Sequence, residues 1–424
     1  MSKAVPKLRF KEFKGDWINK KLGEVVSNKS GKYNPARDEG STKCIELEHL
    51  SSETGQLLGF ANAKELASIK NTFRKGDVLF GKLRPYLKKF LLAPFDGVCS
   101  SEIWVLTGNG ISNNFLYQIV QRNTFVDLAN LSSGSKMPRA DWDVVSSGLL
   151  IFPSLPEQQK IASFLSAVDE KIHQLTRKKE LLEQYKKGVM QQLFCLHYDS
   201  SDSGDGHDGL SNQGNQKNHS KSQCRQLRFK DENGKAYPKW EEKRLGDIGD
   251  IVSGLTYSPM DVNADGVLVL RSSNVQNRRL TFEDNVYVKV SAGEFNPVKE
   301  NDILICVRNG SKNLIGKNAL IDRENAGVAF GAFMTVYRSY FNSFLFHYFD
   351  TDSYKDEVHK NLGATINSIN GSDLKKFKIP FPCKEEQQKI ASFLSAIDTK
   401  IESVAIQIEK TQTFKKGLLQ QMFV

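Results

Sequence analysis

Apolar residues recur at a spacing of seven over two long stretches of the chain. In the first, one seam position holds Ile161, Val168, Leu175, Leu182 and Val189, and the other holds Leu165, Ile172, Lys179, Lys186 and Leu193. The second stretch gives Ile390, Ile397, Val404, Thr411 and Leu418 with Leu394, Ile401, Ile408, Lys415 and Met422. Five heptads of this kind, with polar residues elsewhere, predict two amphipathic helices of coiled-coil type. At 1.5 Å per residue, roughly 38 residues make each about 57 Å long. Pro156 suits a first helical turn, and Glu157, Glu385 and Glu386 put negative charge at the positive end of a helix dipole. Such helices outrun the surface of one small domain, so the pattern predicts that they pack on each other, antiparallel. Gly188 and Gly417 each weaken their helix by about 1 kcal/mol relative to Ala and leave room for a close backbone approach.

Elsewhere the pattern changes to short β-branched runs mixed with helical ones. Asp77–Phe80, Gly97–Cys99, Ile103–Leu106, Val267–Leu270, Ile303–Val307 and Phe333–Tyr337 read as strands, whereas Asn114–Asn130 and Phe341–Asn361 read as helices. The fold class is therefore α+β: two globular domains separated by the two long helices, with an internal pseudo-twofold repeat.

That repeat is written in the letters. "EQQKIASFLSA" runs from Glu157 to Ala167 and again from Glu386 to Ala396, and 23 of the 43 positions from Phe152 to Phe194 match Phe381 to Phe423. Fainter echoes precede it: Leu8-Arg9-Phe10-Lys11 returns as Leu227-Arg228-Phe229-Lys230, and Trp17 as Trp240. The organisation that follows is a first domain over 1–151, a helical region over 152–196, a linker over 197–226, a second domain over 227–380 and a second helical region over 381–424. The linker is almost all Ser, Asp, Gly, Asn, Gln, His and Lys, too polar to offset its ordering entropy, so a flexible segment is expected.

Composition narrows the class. The 59 Lys+Arg against 49 Asp+Glu leave a formal charge of +10, which favours a polyanionic partner. No apolar run is long enough to span a bilayer and no signal peptide is evident, so a cytoplasmic protein without membrane contact is expected. The six cysteines (Cys44, Cys99, Cys195, Cys224, Cys306, Cys383) form no C-x-x-C pair, which argues for reduced thiols and against a zinc site.

The chemistry worth weighing lies in basic loops. Lys82, Arg84, Lys88 and Lys89 crowd "GKLRPYLKK"; Arg271, Asn274, Arg278 and Arg279 fall in "LRSSNVQNRR"; Arg308, Lys312 and Lys317 fall in "VRNGSKNLIGK". Lysines and hydroxyls hold phosphates, while Arg, Asn and Gln can make paired bonds to purine edges, so the mixture suits duplex DNA. Two Gly/Ser-rich loops before the long helices, with Ser135, Lys136 and Arg139 in one and Thr365 in the other, are candidate backbone clamps. Signals for catalysis are absent. Gly310–Asn318 fails as a P-loop because Asn318 stands where Ser or Thr should bind magnesium, no amino-methyltransferase tetrapeptide occurs, and no metal ligand set or Ser/His/Asp arrangement can be nominated.

With both copies of the "EQQKIA" segment preceded by Ile151-Phe152-Pro153 and Ile379-Pro380-Phe381-Pro382, the whole chain resembles the DNA specificity subunit of Type I restriction-modification systems. The first copy departs by Phe152, where proline is frequent in the family. The resemblance implies a non-catalytic subunit with two target recognition domains on an antiparallel helical spacer, each reading one half of a bipartite, asymmetric double-stranded DNA target. It further implies docking of two methyltransferase subunits that use S-adenosylmethionine, and of two restriction subunits that use ATP and Mg. A specificity subunit for a fused nuclease-methyltransferase and a purely structural coiled-coil adaptor stay open as alternatives.

Overall fold

The structure, a computed structural model, describes residues 5–38, 42–131, 137–194, 227–362 and 367–424. The linker 197–226 and Ser135, Lys136 and Thr365 lie outside the described residues. The chain divides into two units, Met1–Lys178 with Val404–Val424, and Lys179–Ser403. Among the described residues no helix is long and apolar enough to cross a membrane.

In the first unit an antiparallel pair, Ile18–Lys21 with Leu149–Phe152, ties the start of the globular part to the strand that leads into the first long helix. A four-stranded sheet runs in the order Val26–Ser27, Ile103–Gly108, Val78–Gly81, Phe90–Leu92. A five-stranded sheet carries Lys43–Ile45 and Gly97–Cys99 as its parallel pair. The expected helix over Asn114–Asn130 is two, Asn113–Ile119 and Asn123–Asn130. The break falls where the Gln121 amide donates to the Tyr117 carbonyl, so a side chain takes over from the backbone ladder.

The second unit repeats the scheme. Glu241–Arg244 pairs with Lys378–Phe381, and a four-stranded sheet runs Asp250–Ser253, Met334–Arg338, Ile303–Cys306, Asn318–Leu320. The expected helix over Phe341–Asn361 again divides, into Asn342–Tyr348 and Asp352–Lys360. Thr351 makes the division: its hydroxyl donates to the Tyr348 carbonyl and accepts from the Tyr354 amide, closing one helix and capping the next. The Val267–Leu270 strand extends back to Val262, with an irregularity between Val262 and Val267.

The long helices span Leu155–Leu193 and Lys384–Gln421, and each contributes to both units. In the first unit Ile161, Ala162 and Leu165 share a core with Leu418, Met422 and Phe423, so the start of one helix lies on the end of the other. In the second unit Val189, Met190 and Leu193 share a core with Ile390, Ala391 and Leu394, the same antiparallel arrangement. Of the predicted seam, Ile161, Leu165, Ile172, Leu175, Ile390, Leu394, Ile397 and Val404 are buried, and Val168, Leu182, Ile401 and Ile408 are half-buried. The helix ends are not a bare rod: Phe115 joins them in the core of the first unit, and Phe344 in the separate core of the second.

The polar seam positions have partners. Lys186 reaches Asp398 at 2.7 Å in the second unit, and Lys415 reaches Asp169 at 2.5 Å in the first. Burial lowers the pKa of Lys415, and the adjacent Asp169 opposes that shift. Gly188 and Gly417 meet nothing within 4 Å of an added Cβ, so neither serves a close helix approach.

Candidate nucleic-acid interface

The repeated "EQQ" is structural. Glu157 accepts two bonds from the Arg9 guanidinium, at 2.7 and 2.8 Å, and Glu386 accepts two from Arg228, both at 2.8 Å. Trp240 also donates its indole N–H to Glu386 at 2.8 Å. The next residue turns inward as well: Gln158 donates to the Pro153 carbonyl and Gln387 to that of Pro382. Each copy thus locks an "LRF" segment and a helix entry together through charge-assisted, two-pronged bonds. The Glu and first Gln of the most conspicuous string in the chain are therefore an internal fastening.

Outward chemistry sits on the loops. In the first unit "GKLRPYLKK" follows strand Val78–Gly81 and is clipped to the segment before the long helix: Arg84 N–H donates to the Pro138 carbonyl at 2.7 Å, and Ala140 N–H to that of Lys82 at 2.8 Å. Two loops that sequence alone could only nominate separately are one surface here. Within it Lys88 donates to the Asn123 amide oxygen and Lys89 to the Leu47 carbonyl, while Arg139 pairs with Glu102 at 3.0 Å. Lys82 is half-buried. Arg84 is exposed and makes no side-chain hydrogen bond or ion pair among the described residues. Tyr86, which sequence reasoning passed over, stands 52% exposed two residues further on.

The second unit presents the equivalent loop after strand Ile303–Cys306. Its clip is the same: Ile369 N–H donates to the Val307 carbonyl at 2.9 Å, and Arg308 bridges Ser368. Arg308 and Lys312 are exposed, with the Arg308 guanidinium 5.6 Å from the centre of the Phe333 ring. Other predicted positions are turned to structural use. Asn274 is 0% exposed, accepts the Arg271 N–H and donates to the Thr281 carbonyl. Arg278, at the left-handed tip of a hairpin, stacks 3.9 Å from the centre of the Phe346 ring and donates to Asn318 at 2.9 Å; burial lowers its pKa. Lys317 donates to the Val275 carbonyl at 2.8 Å and its pKa too is lowered by burial. Arg271 pairs with Asp284 at 2.9 Å, and Arg279 with Glu402 on the second long helix. The structure turns Asn274 and part of the Arg278 guanidinium into the fold rather than toward solvent.

Two α+β units, each with a basic loop clipped to the segment that leads into a long helix, are the arrangement the structure shows. The chain belongs to the family of Type I restriction modification DNA specificity domains, whose model matches residues 14–184 and 237–411. It is similar to the MjaVIII specificity subunit of Methanocaldococcus jannaschii, at 25% identity over 78% of this chain and 77% of that one. It is 31% identical to the EcoDI specificity subunit of Escherichia coli over 32% of each chain. Among solved structures, the S subunit of a Type-I restriction-modification system from M. genitalium matches with a TM-score of 0.58 at 14% identity, covering 99% of both chains. A chain from a study of type I R-M complex assembly and conformational transition matches with a TM-score of 0.53 at 20% identity over 96% of each. A DNA-recognition subunit, with catalysis left to other chains, is the role the family carries.

Proposed function

We propose that each unit reads one half of a bipartite, asymmetric duplex target, and that the long helices set the unread gap between the halves. The observation that carries this is the pair of equivalent loop frameworks with different outward residues: Arg84 and Tyr86 in one, Arg308, Lys312 and Asn313 in the other. Equal frameworks suit the same task, and unequal side chains suit different base sequences. On this reading lysines such as Lys82, Lys88 and Lys89 and the arginines Arg139, Arg271 and Arg279 serve positioning and phosphate contact. The helical regions dock two methyltransferase subunits, which use S-adenosylmethionine, and through them two restriction subunits, which use ATP and Mg, in the cytoplasm.

Modification-sensitive sequencing of DNA from cells expressing this chain with its methyltransferase tests the reading. The expected result is one bipartite motif with methyladenine in each half, on opposite strands. Methylation at a continuous motif, or at none, counts against it.

A further inference from the structure

We infer that Tyr86 is a specificity-determining residue of the first unit, contacting a base of the half-site with its ring while Arg84 holds the adjacent strand. This deepens the recognition reading above and rests on it.

The loop apex is a short 3-10 turn, Pro85–Leu87, bracketed by Arg84 at φ 53° and Lys88 at φ 48°. Left-handed backbone in two non-glycine residues so close together is costly and persists only where surroundings hold it. They do so here: Arg84 N–H is held by Pro138, Glu53 N–H donates to the Lys88 carbonyl at 3.0 Å, and Gly81 N–H donates to the Lys89 carbonyl at 2.8 Å. Lys88 and Lys89 are tied at their ammonium groups as well. Pro85 is buried and anchors the turn from below.

What this scaffold leaves outward is Arg84 and Tyr86 alone among its side chains from Lys82 to Lys89. A tyrosine loses only two torsions on binding, so a rigid turn presents its ring at low entropic cost. An aromatic face suits the thymine methyl or a partly unstacked base step, and Arg84 two residues before it supplies the phosphate contact that brings it into register. The second unit has Lys312 and Asn313, both exposed, on the turn Lys312–Leu314, which is bracketed by extended rather than left-handed backbone, so the two apices differ in chemistry and in shape.

The test is methylation sequencing of the full chain with its methyltransferase, comparing wild type with Tyr86→Ala and Tyr86→Trp. Tyr86→Ala is expected to relax one or two adjacent base positions in a single half-site by about tenfold, leaving the other half and the gap unchanged. An unchanged motif at unchanged rates overturns the inference, as does uniform loss across both halves with wild-type thermal stability. Should Tyr86→Ala fail to fold, Tyr86→Trp decides: an altered base preference in that half supports the assignment, and the wild-type preference overturns it. If wild type itself yields no bipartite motif, the recognition reading is what fails.

Discussion

At the scale of single residues, buried charge is tolerated only where it is paired, and the Arg–Glu fasteners show the consequence. Glu386 is fully buried and Arg228 about one-quarter exposed. Removing the cation leaves the carboxylate with the Trp240 N–H as its side-chain partner. Arg228→Ala should therefore cost roughly 3 kcal/mol, read as a lower denaturant midpoint, and a loss below about 1 kcal/mol would refute a buried-pair role. His347 makes the opposite case. Its burial, and then the nearby Lys186 and Arg278 charges, push its pKa down from 6.5 to about 3. The imidazole is thus neutral in the folded chain, and its 3.8 Å approach to Asp398 is not an ion pair. Because the unfolded chain takes up this proton first, the stability due to neutral His347 is complete above its ordinary value of 6.5 and is lost as pH falls toward about 3. The slope is up to about 1.4 kcal/mol per pH unit. Denaturant midpoints followed through that window should fall less steeply for His347→Gln than for wild type.

At the scale of elements, periodicity named the long helices and their seam, but read Lys186 and Lys415 simply as seam positions. The structure gives each an aspartate across the helix pair, and polar seam residues of this kind commonly fix register. A single Lys186→Met change leaves Asp398 without its closest cation and should destabilise by about 3 kcal/mol, whereas adding Asp398→Leu should recover most of it. Thermal unfolding of the two variants and the double mutant measures this, and additive losses would show that the pair does not act as a unit. Strand positions were legible because buried β-branched runs are local signals. The breaks at Gln121 and Thr351 were not, since each depends on a side chain choosing a backbone partner over solvent.

At the scale of the molecule, the reading makes helix length a ruler. One heptad added to both long helices at matched positions adds about 10 Å, on the order of three base pairs, to the distance the helices span. Methylation sequencing should then show a wider gap with both half-sites intact; an unchanged gap would exclude the helices as spacer. The sequence by itself determined the twofold organisation, the long helices and the family, because repeats and heptads are patterns along the chain that survive without knowing what touches what. Only the tertiary structure decided which basic residues face outward. Arg84 and Arg278 look alike as arginines in basic loops, yet one projects free and the other is turned into the fold. That difference arises from contacts to residues distant in sequence, Asn318 and Phe346 for Arg278, and no local pattern encodes them.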